Sequence, residues 1–260
     1  MKRIHLFILV MVIALCFSAT IVNASSLSIG AKVTSSEWDE VYTGGIEIPD
    51  PTFESLTFAS KAKTNQKTIE LGYNPFSWLK LNAGFGIGSI SSDIDWVDTL
   101  IPYNMVSTGK LTFKDNSGKV ITLGVGIEKE LSGWILNLSA QKLIQKNNKL
   151  EGTFIVDSYG SEPVSGSAKI NEVAGKVSIG RRMGKFVPYV GVGYAKVDTK
   201  YLWGWDELIN QGTQECNFES DKNIGMFIGT DWNLDDAWSL NLEGRFIDKQ
   251  AISLAVGCKF

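Results

Sequence analysis

The sequence predicts an all-β protein: a transmembrane antiparallel up-and-down β-barrel, most simply of ten strands, with eight or twelve as alternatives. Three observations predict it. Apolar and polar residues alternate with a period of two in ten separate segments. The connections between segments alternate between short turns and long polar stretches, the layout of a membrane barrel. The apolar face of every segment is free of charge, and aromatics gather at its short-turn end, as at a membrane–water interface.

The chain opens with Lys2 and Arg3, followed by an apolar run from Leu6 to about Val22 and then small residues. That order is the pattern of a secretory signal peptide over residues 1–24, cleaved after Ala24, leaving 25–260 as the barrel. The ten segments follow, each given by its apolar face. They carry Leu27, Ile29, Ala31 and Val33; Ile69, Leu71 and Tyr73; Leu79, Leu81, Ala83, Phe85 and Ile87; Ile121, Leu123, Val125 and Ile127; and Trp134, Leu136, Leu138 and Ala140. Then come Val173, Gly175, Val177 and Ile179; Pro188, Val190, Val192 and Tyr194; Ile224, Met226, Ile228, Thr230 and Trp232; Trp238, Leu240, Leu242, Gly244 and Phe246; and finally Ile252, Leu254, Val256, Cys258 and Phe260. Pro188 sits near the start of its segment, where a missing N–H costs least. Short links ("NPFS", "EKELSG", "RRMGK", "NLDDA" and "IDKQ") contrast with long extracellular loops expected near 34–67, 89–118, 142–169 and 198–222. Loops of roughly 25 to 35 residues far exceed the usual connection. An even strand number puts both chain ends on the short-turn, periplasmic side.

Alternation alone does not say which face is outside, because a soluble barrel with an apolar lumen reads the same way. The polar face decides. It is rich in small residues such as Gly84, Gly86, Gly88, Gly124, Gly126, Gly191 and Gly193, as a crowded interior requires and a watery exterior does not. The interface aromatics are Tyr73, Trp78, Trp134, Phe186, Trp232, Trp238 and Phe260, with Phe76 beside them.

The stretches "GYNPFSWLKLNAGFGIG" and "FVPYVGVGYAKV", with the terminal aromatic, resemble strands of the small outer-membrane β-barrel superfamily, the OmpA-type and opacity-type barrels. The resemblance covers the whole mature chain and concerns architecture. It implies residence in the outer membrane of a Gram-negative-type cell. It also implies outer-membrane lipid and lipopolysaccharide as surroundings, and an insertion machinery that reads the last strand. That strand, "AISLAVGCKF", is expected to pair with the first to close the sheet.

Composition limits function. The chain has 25 basic and 28 acidic residues, net −3, and loses Lys2 and Arg3 with the leader to reach −5. A nucleic-acid partner, which needs a basic surface, is excluded. Cys216 and Cys258 are the cysteines left beyond the leader, and neither a disulfide framework nor Cys/His metal spacing is present. No cofactor or metal is expected. "SSDIDWVD" offers Asp93, Asp95 and Asp98, but without the Gly and closing Glu of a calcium loop.

The single histidine, His5, lies in the leader. The His–Asp chemistry of omptin-type proteases and the Ser–His chemistry of outer-membrane lipid hydrolases therefore have no counterpart, and no enzyme is expected. The inward charges are Lys32, Glu70, Lys80, Glu128, Glu172, Lys176, Arg182, Asp231, Glu243, Arg245 and Lys259, five acids and six bases. A near-balanced set suits internal ion pairs that plug a narrow lumen; a charge-selective pore would show one sign. Two functions stay open: a structural or surface-interaction barrel (adhesion or envelope integrity) with a plugged lumen, or a narrow porin-like channel. An enzyme is a distant third. The expected loops are acidic overall, and "YLWGWDEL", with Tyr201, Trp203 and Trp205, is either a surface-ligand contact or a fold-back onto the rim. "KLTFKDNSGKVITLGVGI" reads as a hairpin around Asn116–Gly118 that extends the fourth strand beyond the membrane, the source of the twelve-strand alternative.

Overall fold

The computed structural model describes residues 26–44, 53–100, 105–156, 160–206 and 211–260; the expected signal peptide lies outside them. Eleven strands follow in chain order: β1 (Ser26–Gly44), β2 (Phe53–Phe76), β3 (Leu79–Leu100), β4 (Met105–Leu131), β5 (Trp134–Val156), β6 (Gly160–Arg181), β7 (Phe186–Asp206), β8 (Gln211–Ser220), β9 (Ile224–Asn233), β10 (Trp238–Phe246) and β11 (Gln250–Lys259). All pairings are antiparallel. β11 returns to β1, from Ser28↔Lys259 to Glu37↔Gln250, and the sheet closes on itself. The final strand thus forms the seam and leaves no open edge in the membrane.

The barrel has two strand numbers. Around the short-turn end, β1 to β7 are joined by β9, β10 and β11, and ten strands form the ring. At the other end β8 pairs β7 (Asp198↔Glu219) on one side and β1 (Glu40↔Ser220) on the other, and eight strands close a narrower ring. β8 and β9 run almost in line along β7: pairing passes from Asp198↔Glu219 to Tyr194↔Ile224, with the Ala195 N–H bonded to the Asn223 carbonyl across the step. The β10–β11 hairpin is therefore a half-height wedge driven between β9 and β1, and its tip stops where β1 changes partner from β11 to β8.

The short turns follow local chemistry. Ser132 (φ 50) and Gly133 (φ 82) both lie in the left-handed region, which gives β4–β5 a two-residue turn that matches strand twist. At β9–β10, Asp235 Oδ1 accepts from the N–H groups of Ala237 (2.8 Å) and Trp238 (2.7 Å), a side-chain-closed turn. Ile247, at the tip of the wedge, holds φ 89, an outlier for a β-branched residue.

Around the ten-strand ring the outward side chains are bulky and open: Leu81, Phe85, Ile121, Leu123, Leu138, Val177, Ile228 and Leu254 among them. Water does not tolerate so continuous an apolar belt, and lipid does. Inside, close approach forces glycine. A Cβ at Gly86 would lie 1.9 Å from the Lys67 carbonyl oxygen, and one at Gly88 2.6 Å from Gln145 Oε1.

Two expectations need correction. Most of 34–67, 89–118, 142–169 and 198–222 is not loop: the strands run on through these segments, to Gly44 in β1 and Leu100 in β3. Their polarity inverts, because water now bathes the outside. Ile90 and Ile94 point in and are fully buried, whereas Asp93 and Asp95, on either side of Ile94, point out. Nor do Asn116–Gly118 make a hairpin; they lie within β4. The Asp115 carboxylate accepts from the Ser117 N–H and hydroxyl, both at 2.7 Å, and turns a reversal into a bulge between Gly88↔Gly118 and Ile90↔Asp115. The bulge shifts the inward face of β4 from Val120 and Thr122 to Leu111 and Phe113.

Candidate functional site

The lumen is the one interior shared by all strands, and it is built in tiers. At the short-turn end lies a cavity of about 830 Å³ bounded by Asn74, Lys80, Glu128, Arg182, Asp231 and Lys259. Lys80 and Glu128 pair there at 2.6 Å, and Arg182 pairs with Glu130 at 2.7 Å on the rim. Asp231 accepts from Asn241 at 2.7 Å, and Lys259 stands at the mouth.

Deeper in, ion pairs line and span the bore. Lys32 on β1 meets Glu70 on the neighbouring β2 at 3.7 Å, and Lys176 on β6 is bonded to Glu243 on the non-adjacent β10. Glu172 and Arg245 take partners from the hairpin tip: Lys249 reaches Glu172 at 2.5 Å, and Asp248 holds Arg245 in a pair with side chains 1% and 4% exposed. The sequence alone placed Asp248 and Lys249 in the short link "IDKQ" and missed both. Their signal was the "RFIDKQ" run, with an acid and a base three and four residues after Arg245 at the end of a strand too short to reach the outer ring.

Above the ion pairs comes an amide tier. Gln66 Nε2 donates to Gln145 Oε1 (2.9 Å), Gln145 Nε2 to Asn147 Oδ1 (2.8 Å), and Asn147 Nδ2 to Asp115 Oδ2 (3.2 Å). The top tier is apolar. Trp38, Ile94, Phe113, Leu150, Tyr201, Trp203 and Phe218 form one buried cluster inside the eight-strand ring, with Cys216 fully buried among them. An eight-stranded ring is just wide enough for side chains to fill. Tyr201 and Trp203, for which the sequence left a surface-ligand contact and a fold-back onto the rim both open, face inward here, and Tyr201 stacks on Phe113 with centroids 5.9 Å apart.

One carboxylate sits in this cluster. Glu40 is 4% exposed; Ser60 Oγ donates to it at 2.7 Å, Tyr201 OH at 3.2 Å and Trp38 Nε1 at 3.2 Å. Burial pushes its carboxyl above the usual glutamate range, against those hydrogen bonds, and no cation pairs with it among the described residues. Burial likewise pushes the Cys216 thiol up to about 12.

Among the described residues no three metal-ligating side chains cluster. The interface aromatics Tyr73, Trp78, Trp134, Phe186, Trp232, Trp238 and Phe260 all lie outward and exposed. Phe76 stacks on Trp78, and Phe186 on Trp232, with centroids 5.4 and 5.2 Å apart.

A closed antiparallel ring with an apolar outer belt and short turns at one end defines the outer-membrane β-barrel class of fold. The structure is similar to the outer membrane protease OmpT from Escherichia coli, with TM-score 0.56, 10% identity, and coverage of 92% of this chain and 96% of that one. More distant similarity is seen to the COG4313 outer membrane channel from Pseudomonas putida F1 (TM-score 0.35, 9% identity, 93% and 97% covered). The translocator domain of the autotransporter NalP from Neisseria meningitidis is also similar (TM-score 0.29, 9% identity, 100% and 96% covered). No family model and no curated protein matches the sequence. At these identities the likeness is one of fold.

Proposed function

We propose that the chain is a non-enzymatic outer-membrane barrel with a closed lumen, exported by its leader, serving the envelope as a structural and surface-interaction protein. The observation that carries this reading is the apolar cluster in the eight-strand ring. A conducting path needs a continuous wetted bore, and Trp38, Phe113, Tyr201, Trp203 and Phe218 occupy the section where the bore is narrowest. The cavity at the short-turn end is a blind vestibule on this reading. The narrow-channel alternative requires those five side chains to move together.

Catalysis is not carried over from the protease neighbour. The only histidine of the chain is His5, in the expected leader. Kinship with OmpA-type and opacity-type barrels is proposed for architecture alone.

Single-channel recording of the refolded chain in planar bilayers tests the reading. Silent bilayers are expected. Regular conductance steps that persist in fully heat-modifiable, folded protein would replace this reading with the channel.

A further inference from the structure

A row of lysines crosses the outer wall. Lys119 on β4 lies directly opposite Lys146 on β5, Lys146 opposite Lys169 on β6, and Lys169 opposite Lys200 on β7. All four side chains are exposed. Directly opposed residues on adjacent strands hold their Cβ atoms roughly 4.5–5.5 Å apart, and like charges there destabilise a sheet.

Several outward lysines elsewhere on this wall meet acids: Lys61 meets Glu37 at 2.9 Å, Lys110 meets Asp93 at 3.7 Å, Lys196 meets Glu219 at 2.9 Å, and Lys200, the end of the row, meets Glu215 at 2.5 Å; Lys63, Lys67 and Lys114 meet none among the described residues, but none of these lies opposite another lysine. Among the described residues, Lys119, Lys146 and Lys169 meet none, and neither does the nearby outward Lys142. A row of self-repelling cations without counter-charge calls for an anion from outside the chain.

Its position says which. On β4, Lys119 is the first outward side chain beyond Ile121, the last of the exposed apolar positions on that strand; on β6, Asn171 alone separates Lys169 from Val173 on the outward face. The cations therefore stand at the upper border of the lipid belt, where headgroup phosphates lie.

We propose that Lys119, Lys146 and Lys169, flanked by Lys142, form a binding surface for the phosphate groups of an outer-leaflet lipid, whose acyl chains run down the belt along Ile121, Leu123 and Val173. The inference rests on the membrane-spanning reading of the barrel. Each lysine at a membrane surface is worth about a fivefold change in binding to anionic lipid.

The test uses the full chain refolded in zwitterionic detergent, with diphosphoryl lipid A as probe and native mass spectrometry as readout. Wild type is expected to retain the probe and to lose it when both phosphates are removed. The K119Q/K146Q/K169Q variant is expected to bind on the order of a hundredfold more weakly. Equal retention by variant and wild type, or indifference to the phosphates, overturns the proposal. Displacement by millimolar inorganic phosphate, or equal binding of a de-acylated anionic saccharide, also overturns it, in favour of a small-anion or glycan surface.

A second measurement has a sign of its own. In purely zwitterionic bilayers the variant, freed of repulsion, should be at least as stable to urea as wild type; with lipid A present, wild type should become the more stable. No reversal counts against the site. If the triple variant does not fold, K146Q should still weaken retention about fivefold and K146R should restore it; equal retention by both single variants overturns the proposal. Wild type lacking heat-modifiable mobility would instead sink the barrel reading itself.

Discussion

Glu40 is where a single side chain should report most about this protein. It sits in an apolar chamber with three hydrogen-bond donors and no cation, so the folded state favours its protonated form. Its carboxyl titrates higher when folded than when unfolded. The stabilising contribution is therefore complete below the unfolded value near 4.5, declines as pH rises through the folded value, and is absent above it. Protection factors of the β1 and β8 amides around Glu40 and Ser220, taken against the intrinsic exchange rate at each pH, should be higher at pH 4 than at pH 8, and Glu40→Gln should remove most of that difference. Protection factors that do not change with pH in wild type would show that the chamber is wetter than its packing implies. Glu40→Ala is a different change: it strands the buried donors of Ser60, Tyr201 and Trp38 and should cost about 1–3 kcal/mol. None of this was legible in the sequence. Glu40 stood beside Asp39 in a stretch taken for acidic loop, and a period of two does not say on which side of a wall the water lies.

At the level of elements, the wedge β10–β11 depends on its tip. Arg245 is buried and its one ion-pair partner among the described residues is Asp248, while Lys249 ties the same tip to Glu172 across the bore. Asp248→Ala should leave a buried guanidinium uncompensated and cost about 3–5 kcal/mol, read as a lower urea midpoint for the folded band in lipid. Bilayers should remain silent, because the apolar cluster above is untouched. If the midpoint does not move, water reaches Arg245 and the tip is open. The spans in the membrane were legible because lipid imposes one rule on every outward residue, and ten segments obeyed it in phase. The strand extensions and β8 were not, since beyond the lipid the rule reverses. β8, "QGTQECNFES", carries polar or charged residues at most positions and shows its inward face only through Cys216 and Phe218.

The molecule as a whole joins a wide, polar, ion-paired lower half to a narrow, apolar upper half. Removing the upper packing should therefore change what the barrel does without changing how it inserts. The combined substitution Trp38→Ala, Tyr201→Ala and Trp203→Ala should keep heat-modifiable mobility and give conductance steps that wild type lacks. Silent bilayers from a folded triple variant would mean that the ion pairs and the amide tier seal the bore alone. The half-height hairpin carries a further consequence. Because β1 zips to β11 as far as Glu37 and to β8 from Glu40, the calibre facing one compartment is set separately from the cap facing the other. Lengthening, trimming or exchanging that one hairpin would re-bore the inner chamber and leave the outward-facing lid its original size, so the two ends of this wall are free to answer to different demands.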